Sequence, residues 1–418
     1  MAGPLVRRID ARGRGAAEIV RELRRPGGFL SEDVSDAARR IVHDVRDRGD
    51  EALLEYTERF DGVRPQEIQV PQIEIDKARE SLSPELEESF GVAIENVRAF
   101  HERELDRSWE LSRAGATTGQ RVRSVRRVGL YVPGGHAAYP STLVMSAVPA
   151  QVAGVSKIRV CTPPGPGGLP NLHVLAVAGL LGIEQVYSVG GAQAIAALAF
   201  GTQSVAAVDK VIGPGNDYVT AAKLDVFGIV GIDAPQGPSE VLVLADASAF
   251  PQRVARDLMA QAEHLSGASA VLLTTSEGLI SGVEPLLWGE PAEHVTLVCV
   301  KDTAQAVEIS NRYAPEHAHV ISEDHEAVLR DLDAVGMVAV GDFSPVALGD
   351  YAAGPSHALP SGGTATWASA LGTHDFLART NYIHFTQDAL RDLGPHVERL
   401  ARLEGFANHA ASVTTRMG

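Results

Sequence analysis

Cysteine is almost missing from this chain. Only Cys161 and Cys299 occur among 418 residues, far apart and outside any Cys-x-x-Cys spacing. That excludes a disulfide framework and a cysteine-rich zinc site, and it fits a reducing cytoplasm. Both lie in apolar runs, RVCT and LVCV, and read as buried thiols rather than nucleophiles. Positive charge is also short. Against 53 Asp and Glu stand 37 Lys and Arg, a net charge of −16. An acidic surface repels phosphate backbones and argues against a nucleic-acid partner. A membrane span is lacking. The longest uncharged stretch, Ser188 to Val208, is broken by Gly190, Gly191, Gln193, Gly201, Thr202 and Gln203, so it reads as strand, turn and helix. No apolar core follows the basic residues of MAGPLVRRIDARGRG, and no signal peptide is expected. No G-x-G-x-x-G follows a strand and no G-x-x-x-x-G-K-[ST] is present, which disfavours ordinary dinucleotide-fold and P-loop binding.

What is present suits a soluble globular protein of two to four domains, with 45% hydrophobic and 22% charged residues. The first third is helical and charged: Ala16 to Arg25, stopped by Pro26-Gly27-Gly28, then Asp33 to Arg48, Glu51 to Phe60, and a long amphipathic stretch from Ile75 to Leu111 divided at Ser83-Pro84. These segments read as a packing layer without chemistry. From Arg126 short apolar runs alternate with helical stretches and Gly or Pro turns. The strands expected are Val128 to Val132, Lys157 to Thr162, Gln185 to Val189 and Lys210 to Ile212. A second series holds Val241 to Ala245, Val271 to Thr274, Val295 to Val300, His319 to Ile321 and Met337 to Val340. Such repetition implies parallel sheets flanked by helices. The fold expected is α/β: two Rossmann-like parallel-sheet units of similar architecture, a helical N-terminal segment and a small helical C-terminal domain. After Gly341 the chain turns loop-rich, and helix returns from about Asp388 to Leu403.

Several places could carry chemistry. A helix after Val241–Ala245, with Ser248 as N-cap, bears Gln261 and His264 three residues apart near its end, on nearly one side. An imidazole beside an amide oxygen suits a divalent metal; a solvated helix end is the plainer alternative. Ligands in open parallel sheets sit beyond the strands' carboxyl ends. Four turns are placed there: Tyr131 to Gly135, Gly190 to Gln193, Gly213 to Asn216, and Gly237-Pro238-Ser239. They serve equally as tight turns or as a cradle for an anion. Ala314-Pro315-Glu316-His317 offers a carboxylate and an imidazole as paired proton handlers, or a polar turn before a strand. Asp350 and His357 share a glycine-rich loop, and Glu404 and His409 lie in the tail.

Taken in order, the segments YVPGGHAAYPST, GGAQAIAALAFGT, DKVIGPGN, GPSEVLV, QAEH, YAPEH, GDYAAGPSHALPSGG and EGFANH resemble histidinol dehydrogenase, the zinc enzyme family of histidine biosynthesis. The resemblance runs over nearly the whole chain. It implies one zinc per subunit held by Gln261, His264, Asp350 and His409. It implies Glu316 and His317 as the proton-transfer pair. Ser239, Gln261, His264, His317, Asp350, Glu404 and His409 would contact substrate, and Tyr131, Gln193 and Asn216 would bind NAD. The implied reaction is a four-electron oxidation of L-histidinol, through bound L-histidinal, to L-histidine with two NAD. A cytoplasmic homodimer is implied, with Glu404 and His409 completing the partner's site. The division expected with it is an N-terminal helical arm over 1–27, a first α/β domain from 28–130 and 241–372, an NAD-binding domain over 131–240 and a helical tail domain over 373–418.

The chain departs from the family's pattern at Leu265-Ser266-Gly267, Ser361, Thr366 and Ala318, and has extra histidines at His136 and His319. These read as drift, with both histidines as surface groups. The alternative is a pocket reshaped for another amino alcohol or hydroxyl substrate. A zinc hydrolase, with Glu316 activating a metal-bound water, is a rival of another class.

Overall fold

The computed structural model describes residues 6–24, 30–134, 138–264 and 267–417. In chain order its strands are β1 (Arg7–Asp10), β2 (Trp109–Arg113), β3 (Ala116–Ser124), β4 (Arg127–Tyr131), β5 (Lys157–Thr162), β6 (Val186–Ser188), β7 (Lys210–Ile212), β8 (Gly231–Ile232), β9 (Glu240–Ala245), β10 (Ser269–Thr274), β11 (Val295–Cys299), β12 (His317–Ile321), β13 (Met337–Val340) and β14 (Leu377–Phe385). They form a five-stranded parallel sheet, β6-β5-β4-β7-β8, and a six-stranded parallel sheet, β1-β11-β10-β9-β12-β13. β4 to β8 and β9 to β13, each numbered from its own first strand, share the order 3-2-1-4-5. That is the open doubly wound order, with a switch point between strands one and four. The two parallel-sheet units expected are therefore present and alike in topology.

The strands form where near-continuous apolar runs bury both faces. All six residues of β9 are buried, as are five of the six in β10. Helices cover each sheet on both sides and divide the core into four clusters. The helices Glu32–Arg48 and Asp50–Asp61 pack on the five-stranded unit, where Val42, Val45 and Leu53 meet Ile195 and Leu198.

Three differences from the sequence reading have physical causes. The N-terminal segment holds a strand ahead of its helix Ala16–Leu23, and β1 pairs along β11. The stretch from Ile75 to Leu111 is not helical throughout. It comprises Gln72–Glu80 and Pro84–His101, and ends in β2. With β3 and β14, β2 forms an antiparallel sheet. All five β2 residues are exposed, so burial left no alternation to read. The C-terminal segment is helical as expected, in two pieces, Gln387–Leu403 and Ala407–Thr414. Among the described residues no helix is long and apolar enough to cross a membrane.

Candidate active site and cofactor cleft

Two places hold polar groups that the fold positions but does not satisfy. The first lies at the amino ends of β9, β12 and β13. The helix Thr303–Tyr313 ends at Ala314, a left-handed residue at φ 48°. The chain then passes Pro315 and delivers Glu316 and His317 to the head of β12. His317 is buried. Its Nδ1 donates to the Glu240 carbonyl at 3.1 Å and lies 3.6 Å from Glu316 Oε2. Its Nε2 makes an ion-pair contact with Asp350 Oδ1 at 3.2 Å. Burial disfavours the imidazolium, but the Glu316 charge and the Asp350 contact outweigh it and push the ring up to about 10. Glu316 is fixed in turn: its Oε2 accepts from the Glu240 amide at 2.9 Å.

Asp350 does not sit in a loop, as expected, but in the last turn of a short helix, Val346–Tyr351. Gly349 beside it lets the Met337 thioether pack close; a Cβ there would push that flexible side-chain end aside. His357 Nδ1 donates to the Asp350 carbonyl at 2.7 Å, and Thr142 Oγ1 lies 3.1 Å from its Nε2. Burial raises the Asp350 carboxyl, but the His317 contact and the charges of His317, His357 and His264 bring it below its ordinary value.

Gln261 is buried in the last turn of the helix Pro251–Ala262, and His264 follows it, exposed. His264 Nδ1 donates to the Gln261 carbonyl at 3.1 Å. That fixes the tautomer with a bare Nε2, the arrangement usual for a metal-ligating histidine. Gln261, His264 and Asp350 offer one nitrogen and two oxygen donors, a set that fits zinc. Among the described residues no group of three or more His, Cys, Asp or Glu is clustered to hold a metal. His409 and Glu404 stand exposed in the C-terminal helical region, and His409 contacts the Phe406 ring, with centroids 5.1 Å apart. Within one chain, then, the structure joins Glu316, His317 and Asp350 and leaves the tail residues outside.

Two residues of this site escaped the sequence reading. Glu240 is buried and accepts from Tyr313 Oη at 3.3 Å and from the Gly362 amide at 3.1 Å. Burial and the nearby Glu316 charge push its carboxyl up to about 7. Its signal was a charged residue heading an apolar strand. Ser361 Oγ accepts from the Gly237 amide at 2.7 Å, so this departure from the family's pattern ties the turn before β9 to the loop after β13. Ser239 lies beside them, at the head of β9. The Gly237-Pro238-Ser239 turn is thus at an amino end of the sheet, not a carboxyl end, because the chain crosses from β8 into the other sheet there. Ser248 is not the N-cap of the next helix. Its amide and hydroxyl both bond Asp246 Oδ1, and the helix starts at Pro251. His319 is buried rather than a surface group, with Nδ1 3.0 Å from Asp257 Oδ2. His136, Leu265 and Ser266 lie outside the described residues.

The second place is a cleft of about 700 Å³ at the carboxyl ends of the five-stranded sheet. Tyr131, Gln193 and Asn216 all line it. Tyr131 closes β4 and Asn216 follows β7, the two strands of the switch point. Tyr131 Oη accepts from the Gly191 amide at 3.1 Å. Asn216 Oδ1 caps the helix Asp217–Val226 through the Val219 amide at 3.1 Å, leaving its NH₂ for other partners. Gly213, at φ 126°, admits no side chain, since a Cβ would meet the Tyr131 carbonyl at 2.2 Å. Gln193 is buried with neither amide atom hydrogen-bonded. An unsatisfied buried amide is costly, and a ligand with donors and acceptors at this depth would pair both atoms. The residues fit a dinucleotide. The wall opposite comes from the helices Glu32–Arg48 and Asp50–Asp61, which besides packing on the sheet line the cleft.

The comparisons agree with this architecture. The family model for histidinol dehydrogenase matches residues 27–417. Histidinol dehydrogenase of Parasynechococcus marenigrum is 42% identical, over 100% of this chain and 98% of its own length. That of Clostridium acetobutylicum is 38% identical over 99% of each. The crystal structure of histidinol dehydrogenase from Elizabethkingia anophelis superposes with a TM-score of 0.93 at 33% identity, covering 100% of this chain and 99% of that one. On sequence and fold together, this oxidoreductase belongs to the histidinol dehydrogenase family.

Proposed function

We propose that this chain oxidises L-histidinol, through bound L-histidinal, to L-histidine. The observation that carries the reading is the His317 imidazole, wedged between Glu316 and Asp350, with Asp350 in turn feeling the charge of His264. Zinc would be held by Gln261, His264 and Asp350 of one chain and His409 of a second copy; when bound, it orients the substrate through its imidazole and amine, while NAD accepts the two hydrides in turn. His317, as the neutral imidazole that becomes populated as pH rises towards about 10, removes the carbinol proton in the first step. The flanking carboxylates stabilise the imidazolium so formed. Glu316 then deprotonates the water that adds to the aldehyde while the His317 imidazolium returns its proton to the aldehyde oxygen, and the neutral ring so regenerated takes the proton of the hydrate in the second oxidation. Positioned proton transfer of this kind contributes roughly 10²–10⁴ in rate.

Residues 131–240 serve as the NAD unit, with Tyr131, Gln193 and Asn216 as contacts. The tail from 373 to 418 reaches across a cytoplasmic homodimer, where Glu404 and His409 contact the partner's substrate along with its Ser239. The exposure of both tail residues supports this placement. The test is a spectrophotometric assay of L-histidinol with NAD, before and after chelation. Two NADH per L-histidinol are expected, lost with the metal. Negligible turnover with zinc and NAD present would overturn the reading.

A further inference from the structure

The arginines of the helices Glu32–Arg48 and Asp50–Asp61 fall into two groups. Arg39, Arg46 and Arg48 all pair with carboxylates. Arg40 and Arg59 have no carboxylate partner among the described residues, and these two line the cleft. Arg59 lies over the Phe60 ring, 5.3 Å from its centroid. In a chain of net charge −16, two unneutralised guanidinium groups facing one cavity are an anion site in waiting. Asp61, at the end of the second helix, also lines the cleft. Its Oδ2 is buried without a hydrogen-bond partner. Burial alone pushes the carboxyl up to about 6, so no cation neutralises it.

We propose that Arg40 and Arg59 bind the pyrophosphate of the dinucleotide, and that Asp61 accepts from the hydroxyls of its adenosine ribose. The inference rests on the cleft being the NAD site. It explains how an acidic chain without a glycine-rich fingerprint could hold a pyrophosphate. Planar guanidinium forks match phosphate oxygens with paired, charge-assisted bonds. The buried carboxylate needs a donor, which a ribose hydroxyl supplies. A 2′-phosphate would instead set like charges against each other, so Asp61 selects NAD over its 2′-phosphorylated analogue.

The test is calorimetric titration of the full chain with NAD, NADP, ADP and adenosine. Charge-assisted bonds of this kind make the expected loss for Arg40→Ala/Arg59→Ala about 10–100-fold for NAD and ADP, with adenosine unchanged. Both arginines are exposed, and thermal melts will show that the variant stays folded. Asp61→Asn is expected to weaken NAD and adenosine alike and to narrow the gap to NADP. NAD and ADP affinities within twofold of the parent in the double variant, while Gln193→Ala loses them, would overturn the proposal and spare the cleft. Loss confined to NADP would overturn it too, by assigning the arginines to a 2′-phosphate. Unchanged NAD binding in the arginine variant and in Gln193→Ala together would remove the cleft itself as the NAD site.

Discussion

The two parallel sheets share one strand order and hold unsatisfied polar groups at opposite ends. In the five-stranded sheet the switch point between β4 and β7 opens into a cleft of about 700 Å³, with the Gln193 amide left unpaired. At the matching end of the six-stranded sheet a gap of about 20 Å³ remains between Leu244, Thr274, Val300 and Ser322. There Asp246 takes four hydrogen bonds: from the amide and hydroxyl of Ser248, the Ser322 hydroxyl and the Glu323 amide. A crevice whose polar groups are satisfied by the chain asks for no ligand. The six-stranded unit gathers its buried polar groups at its amino ends instead, where β9 and β12 bring Glu240, Glu316 and His317 together. Topology makes a crevice available; the polar bookkeeping at its rim decides whether it is used.

The largest expected effect separates the two ends by function. His317→Ala should lower turnover of L-histidinol by about 10²–10⁴ and leave NAD binding, measured by calorimetry, unchanged. A joint loss of both would mean that the amino-end site and the carboxyl-end cleft are not separable. Next comes a pair beneath the cleft. Lys223 Nζ donates to the Gly213 carbonyl at 2.9 Å, and Asp233 accepts from the Gly213 amide at 2.9 Å while paired with Lys223. Both are buried, so this ion pair sets the turn that leads to Asn216. Lys223→Met strands a buried carboxylate and should cost about 3–5 kcal/mol in urea unfolding. Lys223→Met/Asp233→Leu should recover much of that stability without recovering NAD affinity. Recovery of both would show that the pair does not shape the turn.

The alternation of strand and helix was legible because buried parallel strands are apolar on both faces; Lys210–Ile212 and Met337–Val340 stand where expected. The antiparallel sheet was not, since an exposed strand such as WELSR carries no pattern of burial. That Glu316, His317 and Asp350 meet was legible only through motifs. Which end of a sheet they occupy depends on the crossing from β8 to β9, and no local residue encodes that. Arg40, Arg59 and Asp61 were invisible for a similar reason. Cleft-lining residues on exposed helix faces look like any solvated face until the neighbouring element is in place.

A smaller effect tests what links the helix Pro251–Ala262 to β12. His319, on β12, meets Asp257, one turn before Gln261, and its Nε2 donates to the Gly341 carbonyl at 2.9 Å. Burial lowers the ring's pKa, but the Asp257 and Gly341 contacts raise it by more, to a net value above the ordinary one. A raised imidazole stabilises the fold fully below its unfolded value, near 6.5, and loses that contribution as pH climbs through the folded value. Urea stability should therefore fall on going upward from pH 6. His319→Gln should flatten that decline and cost about 1–3 kcal/mol at pH 6. A variant whose pH profile still matches the parent's would place the titration elsewhere.

The smallest effect bears most directly on the comparison between the sheets. Asp246→Ala removes the acceptor that satisfies the Ser248, Ser322 and Glu323 donors. Several of these groups are exposed enough to turn to water, so the cost should stay near 1 kcal/mol. NAD binding should not change, because the vacated crevice keeps its apolar walls of Leu244, Leu273 and Val300 and gains no cation. If the variant instead acquires a second NAD or ADP site by calorimetry, the strand order alone is enough to make a nucleotide crevice. Plugging would then be the only difference between the two units. If it acquires none, the cleft of the five-stranded sheet owes its chemistry to what was added around it: the Gly213 turn, the Gln193 amide and the wall of helices that brings Arg40, Arg59 and Asp61.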